Sequence, residues 1–234
     1  MKKIYYVLLV FILVLISYKE TRSDCPSGWF ENVITVNFEY PFNGSIIFCC
    51  VKIVFCCRWN PDLQMPEILP KGVYSSPECE DCMHIIMQNP SLILPFINFI
   101  YEKMIESARL NPNCFPQCPP CDAGNPRLYY RLIGYKCLKW VNKPAIRLID
   151  GTVLEWVDGI VFCDDLENKC LLTYACCCDW GTSPPQCDSW CVSAEDYGTS
   201  VCTNEIPQVP PPGKSWYEAW ETECFTIDYN CQCP

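Results

Sequence analysis

The sequence predicts an α+β protein that is mainly β. It is expected to be built of disulfide-rich antiparallel hairpins or a meander, in two related hairpin units, with a helical insertion between them. Three observations carry this. Runs of period-two alternation are bounded by turn residues, most clearly at Asn43-Gly44. The chain of 234 residues holds 22 cysteines, 21 prolines and 10 glycines, a composition with frequent turns and few long helices. Helical periodicity is confined to one stretch between two β-like halves.

The first residues predict the compartment. Lys2 and Lys3 precede an uncharged, nearly wholly apolar run, Ile4 to Ser17, and a short polar stretch ending Thr21-Arg22-Ser23. This is the pattern of a secretory signal peptide over residues 1–23, and the run of 14 residues is short for a span of about 20. An uncleaved N-terminal anchor is the alternative. Every cysteine follows Ser23, so roughly a tenth of the remaining chain is cysteine, the level of an exported disulfide scaffold. Without residues 1–23, 13 basic side chains face 26 acidic ones, a net charge of −13. So acidic a surface argues against nucleic acid and anionic membranes. The partners expected are an extracellular protein or a glycan, with no stable membrane insertion after signal cleavage and no cofactor. The localisation expected is secreted or cell-surface.

The first unit spans residues 24–60. Glu31 to Tyr40 alternates as a strand, Pro41-Phe42-Asn43-Gly44 turns the chain, and Ile46 to Arg58 returns. Asn43-Gly44-Ser45 is also a glycosylation sequon. On the return strand Ile47, Cys49, Val51, Ile53, Phe55, Cys57 and Trp59 share a face without polar groups, which is expected to be the core face. The vicinal pairs Cys49-Cys50 and Cys56-Cys57 then point to opposite faces, and each pair is expected to staple in two directions.

Residues 61–126 read as a proline-rich linker and a helical insertion. Prolines at 61, 66 and 70 mark the stretch from Asn60 to Ser76 as linker. Ser76-Pro77-Glu78 is a helix start, with a capping serine and proline at the first position. That helix would align Cys79, Cys82, Met83 and Ile86. Asn89-Pro90 interrupts it. A second helix, expected to begin at about Pro95 and to stop at Asn111-Pro112, lines up Ile93, Ile97, Ile100, Met104 and Ala108 on a face that packs on the sheet. Asn111 to Pro126 is proline-rich and carries Cys114, Cys118 and Cys121.

The second unit, residues 127–206, returns to alternation over 128–141, 145–149, 152–157, 160–163 and 170–180. Thr152-Val153 through Asp158-Gly159 to Ile160, Phe162 and Cys163 matches Thr35-Val36 through Gly44 to Ile46, Phe48 and Cys49. Both copies end in Cys-Cys-x-Trp, at Cys56-Cys57-Arg58-Trp59 and Cys177-Cys178-Asp179-Trp180. In both, parity puts the last cysteine and the tryptophan on the apolar face. The structural disulfide candidates are Cys49, Cys50, Cys56, Cys57, Cys163, Cys176, Cys177 and Cys178. Residues 207–234 form a stiff Pro-rich spacer and a tail whose cysteines at 224, 231 and 233 should pin it to the body.

Motifs that resemble catalytic ones are weak in their context. Cys114-x3-Cys118-x2-Cys121 has iron–sulfur spacing, and Cys118-Pro119-Pro120-Cys121 a redox spacing, but prolines crowd both and no helix follows. Cys79 and Cys82 are the better redox pair, although Glu78, Glu80 and Asp81 would raise a thiol pKa there. His84 is the single histidine. Any Ser–His–Asp or Cys–His arrangement must use it, and a packed or solvated imidazole is the simpler reading. Glu155 and Asp158, and the acidic turn Asp164 to Asn168, read as turn charges before a glycosidase pair or a calcium loop. Trp216 and Trp220, four apart, are the candidate aromatic binding residues, or else the cover of a sheet edge.

The Asp24-Cys25-Pro26-Ser27-Gly28-Trp29 start, the Asn-Gly hairpin and the Cys-rich strands of residues 24–60 resemble uncharacterised cysteine-rich exported proteins of bacteria. That resemblance implies export and implies no activity or site residues. The function expected is an exported, disulfide-stabilised binding or structural protein. The alternatives are a secreted inhibitor or effector acting on a target protein, an exported thiol–disulfide oxidoreductase, and a secreted hydrolase.

Overall fold

The computed structural model describes residues 25–76, 82–121, 127–147, 151–163, 169–183, 186–198, 202–227 and 231–233. These form a mainly β protein with one short helical insertion. The strands are β1 (Phe30–Phe42), β2 (Ser45–Asn60), β3 (Met65–Ser75), β4 (Leu128–Tyr135), β5 (Cys137–Arg147), β6 (Val153–Phe162), β7 (Lys169–Asp179), β8 (Gln186–Tyr197), β9 (Trp220–Glu221) and β10 (Phe225–Thr226). The helices are α1 (Cys82–Gln88) and α2 (Ile93–Leu110), with a 3₁₀ turn at Pro90–Leu92 between them. Pro77 and Glu78 of the expected helix start and the Asp164–Asn168 turn lie outside the described residues.

The β1–β2 hairpin forms as its alternation predicts, with Asn43 (φ 51°) and Gly44 (φ 78°) at the tip. Both central residues of such a turn need positive φ, which Asn and Gly tolerate best. The expected linker is corrected by the structure. Its second half is β3, and β3 is the strand at which the sheet is joined. One edge of β3 runs antiparallel to β2 from Met65 to Ser75. The other edge is shared: Glu67 and Ile68 pair in parallel with Arg131 and Leu132 of β4, and Gly72 to Tyr74 pair antiparallel with β6. Pro70 falls between those two pairings, and the register against β2 shifts beside it, with Lys71 of β3 skipped between the Phe55–Pro70 and Val54–Gly72 pairs. A proline lacks the N–H a ladder needs, so it is tolerated where its own strand bulges and its other edge is unpaired.

From this fork one branch runs β4–β7–β8 and the other β6–β5, with β9 and β10 added along β5. The alternation expected over 128–141 is two strands, broken at Lys136, and those expected at 152–157 and 160–163 are one. Asp158-Gly159 therefore sits in mid-strand and is no counterpart of the Asn43-Gly44 turn. The long hairpin of the second half is β7–β8. Gly159 is required where β6 crosses β3: a Cβ there would lie 2.3 Å from the Val73 carbonyl oxygen and 2.8 Å from the Tyr74 ring.

Helix α2 covers the sheet. Ile93, Ile97, Ile100, Met104 and Ala108 are buried as expected, joined by Phe96, Tyr101 and Ile105. Phe96 meets Phe38 of β1 edge-to-face at 5.1 Å, and Tyr101 stacks on Phe162 of β6 at 6.0 Å and accepts a hydrogen bond from Tyr135 N of β4. The helix starts at Ile93, with Pro95 inside its first turn, where the missing N–H is not needed. Asn111 ends it. Among the described residues no single helix is long and apolar enough to cross a membrane, and α1 and α2 are bent by 108°.

Ten disulfides join described cysteines, and Cys50 is disulfide-bonded as well. The vicinal pair Cys56-Cys57 does staple in two directions, Cys56 to Cys25 and Cys57 to Cys114, and Cys49 of the other pair is bonded to Cys82. The tail is pinned by Cys163–Cys224, Cys170–Cys231 and Cys191–Cys233. Parity fails for the two tryptophans. Cys57 and Cys178 are buried, but Trp59 is 40% and Trp180 42% exposed. Each stands at the turn end of its hairpin, beyond the reach of the core. Parity specifies a face; it does not specify that anything covers it.

Gly159→Ala is expected to destabilise the fold by about 3 kcal/mol through overpacking at the β3–β6 crossing. Gly44→Ala, with open space around it, should cost about 1 kcal/mol from its positive φ alone. Urea unfolding of the two variants checks the difference, and equal losses would refute it.

Candidate functional site

The side of α2 that faces away from β1 borders a groove. Its floor is the β7–β8 hairpin. Two adjoining cavities of about 600 and 610 Å³ make it up, and both are lined by Glu106 and Arg109. The first lies along Leu94, Tyr101 and Ile105 of α2, Leu172 and Tyr174 of β7 and Ser189 of β8. The second continues past Leu110 and Phe115 to Trp180.

The walls are fixed covalently. Cys233, at the rim of the first cavity, is bonded to Cys191 of β8. In the second, Cys118 is bonded to Cys176, and Cys178 to Cys187 across the hairpin. The proline-rich segment that carries Cys118 also pairs with β7, where Cys178 N donates to Pro119 O at 2.8 Å. The Trp180 indole donates to Cys118 O at 3.0 Å, which holds the exposed ring in place.

Charge at the junction is uneven. Lys103 donates to Glu106 at 2.9 Å, the main cause of its raised pKa. Glu106 is thereby engaged by a neighbour on its own helix. Arg109, one turn on, is left with no hydrogen bond or ion pair among the described residues, and its Nη1 is buried without an acceptor. Beneath lies Tyr130, fully buried, its hydroxyl pushed up to about 12 chiefly by burial, with the nearby Ser189 side chain and then the Arg109 charge acting in the opposite direction. Burial raises Tyr174 as well. The site is thus a rigid, mostly apolar trough with one under-satisfied cation at its middle.

The residues singled out from sequence fall elsewhere. The Cys118/Cys121 spacing does not close on itself, because Cys118 goes to Cys176 and Cys121 to Cys177. Cys114, Cys118 and Cys121 all serve as staples, and so hold no cluster. The sulfurs of Cys121 and Cys177 lie near an Asp188 carboxylate, but they are bonded to each other and offer no thiolate. Cys82 is bonded to Cys49, which corrects the Cys79–Cys82 redox pairing; Cys79 itself lies outside the described residues. Cys49, Cys50, Cys56, Cys57, Cys163, Cys176, Cys177 and Cys178 are all in disulfides.

Trp216 and Trp220 are no exposed platform. Trp220 is buried in β9 against Asn142 of β5, and Trp216 meets it at 5.3 Å, so the pair covers a sheet edge. Trp216 also lies 3.6 Å from the His84 ring. His84 Nε2 is 3.0 Å from Asp158 Oδ2, and the other oxygen of Asp158 accepts from the Ser75 hydroxyl. A serine, a histidine and an aspartate do meet here, but in the wrong order for nucleophilic catalysis. The hydroxyl and the imidazole share one carboxylate, and neither activates the other. This cluster seats the tail on the sheet.

Arg109 and Trp180 are not legible as site residues from sequence. A basic residue in a last helical turn has an ordinary explanation in the helix dipole, and parity assigns Trp180 to the core face. No family model matches the chain, and no curated protein or solved structure shows significant similarity to it.

Two outcomes follow. Arg109→Met is expected to leave stability unchanged or raise it by about 1 kcal/mol, since it removes an unsatisfied buried donor; a loss of more than that in urea unfolding would mean the guanidinium has a structural partner. Tyr130 binds its proton more tightly folded than unfolded, so it lowers stability as pH rises from about 10 towards 12 and has no effect below. Tyr130→Phe should therefore flatten the alkaline fall in melting temperature while leaving the neutral value nearly unchanged.

Proposed function

We propose that the chain is an exported, disulfide-stabilised binding protein that takes its ligand in the groove between α2 and the β7–β8 hairpin. The ten disulfides fit an extracytoplasmic location, and the signal-peptide pattern of residues 1–23 supports export. At about 2–4 kcal/mol each, so many bridges exceed what folding alone requires and suit endurance among extracellular proteases. The single observation that carries the binding role is the groove itself. It is preformed, with disulfides fixing its β7–β8 wall and the segment that follows α2, and among the described residues it keeps an unpaired guanidinium nitrogen where an apolar residue would pack better. Concave, mostly apolar sites with a few fixed polar groups are where ligands bind, and rigid walls lower the ordering cost of binding.

A secreted inhibitor or effector is the second reading, and one observation favours it. The β1–β2 hairpin presents Ile46, 71% exposed, and Phe48, 51% exposed, beside its tip. Scattered exposed apolar residues are common on soluble proteins, which leaves the groove ahead.

Fragment mapping by NMR on the oxidised protein tests the proposal. Shifts are expected to concentrate on Tyr101, Tyr174 and the Trp180 indole. Shifts concentrated on Ile46 and Phe48 would favour the hairpin instead, and shifts at neither place would reject both surfaces.

A further inference from the structure

Resting on the groove as the binding surface, we infer that its ligand is an extended peptide segment that delivers one carboxylate to Arg109. The argument is one of charge and shape. Two acidic side chains and one arginine line the trough. Lys103 bonds Glu106 and also lies 3.5 Å from Glu102, so the carboxylates here already face a cation. Among the described residues Arg109 has no anionic partner. A buried guanidinium nitrogen without an acceptor is costly, and a carboxylate is the partner whose geometry matches the guanidinium fork.

The same count excludes a polyanion. One unpaired arginine beside two carboxylates, on a chain this acidic, can balance a single negative charge. Nucleic acid, with its repeated phosphates, would be repelled.

Shape argues for a peptide over a small acid. The first cavity follows α2 from Leu94 to Arg109, about 22 Å at about 1.5 Å per residue, the reach of roughly six or seven extended residues. The second continues beyond Arg109, past Leu110 and Phe115 to Trp180. Arg109 lies where the cavities meet, so a carboxylate that reaches it has trough on both sides and belongs in the interior of the segment. On either side, apolar side chains of the peptide would face Leu94, Ile105 and Tyr174 in one direction, and Phe115 and Trp180 in the other.

The test uses capped heptapeptides, N-acetylated and C-amidated so that only the side chain carries charge. The central residue is Glu, Gln, Lys or phosphoserine, in matched sets of varied flanks, and binding to the oxidised full chain is read by fluorescence anisotropy. Glu-centred peptides are expected to bind about tenfold or more tightly than their Gln counterparts. Arg109→Gln should abolish that difference while keeping the dependence on apolar flanks, and Arg109→Lys should retain part of it. Ser189→Trp, which fills the first cavity, should weaken every peptide.

Equal binding of Glu and Gln peptides that Ser189→Trp still weakens would overturn the carboxylate and leave the groove standing. A Glu preference that survives Arg109→Gln would overturn the role of Arg109. Phosphoserine peptides binding more tightly than Glu peptides would overturn the single-charge argument. No binding by any set would overturn the peptide, while the fragment map decides the groove separately.

Discussion

The structure depends on β3 having partners along both edges. A strand of that kind must be buried and regular, yet β3 contains Pro66 and Pro70. The conflict is resolved by the sheet around it. Pro66 stands one residue into the strand, and Pro70 stands beside the bulge of β3 at Lys71, where the second edge passes from β4 to β6. The fork creates the two branches, and α2 bridges them, touching Phe38 on one side and Tyr135 and Phe162 on the other. Without the fork, the β1–β3 meander and the β4–β8 half would be separate sheets, each with an uncovered face.

The disulfides follow from that arrangement and reinforce it. Cys114, Cys118 and Cys121 occupy one proline-rich segment, yet they bond to β2 and β7, from different halves of the chain. A segment with few backbone hydrogen bonds of its own is ordered in this way by covalent links at both ends. The tail is treated alike: bridges at Cys224, Cys231 and Cys233 bring it over β5 and β8, where Trp220, Trp216 and the His84–Asp158 contact seat it. The groove is a by-product of this stapling. The segment that follows α2 is tied to β7 by Cys118–Cys176 and Cys121–Cys177, which sets where the helix end stands relative to the hairpin.

Arg109 is the place where local and global demands part. A helix terminus favours a cation in its last turn, but Glu106 has already been taken by Lys103. A sequence selected for packing alone would place an apolar side chain over Tyr130. Among the described residues the guanidinium that stands there instead keeps a buried nitrogen without an acceptor.

Several features were legible from residues alone because their causes are local. The Asn43-Gly44 turn, the alternation of β1 and β2, the helix ending at Asn111-Pro112 and the buried stripe Ile93 to Ala108 each rest on stereochemistry within a few residues. So does the divergence of vicinal cysteines. The rest was decided at a distance. Prolines concealed β3, because a proline is tolerated or excluded according to neighbours that β2, β4 and β6 supply. Alternation assigned Trp59 and Trp180 to a face, whereas burial required a covering layer that ends before them. The identity of each cysteine's partner, and the isolation of Arg109 between its neighbours and Tyr130, arise only when strands far apart in the chain are brought together. Local chemistry determined the elements of this protein, and tertiary contact alone decided which of their groups were satisfied and which were not.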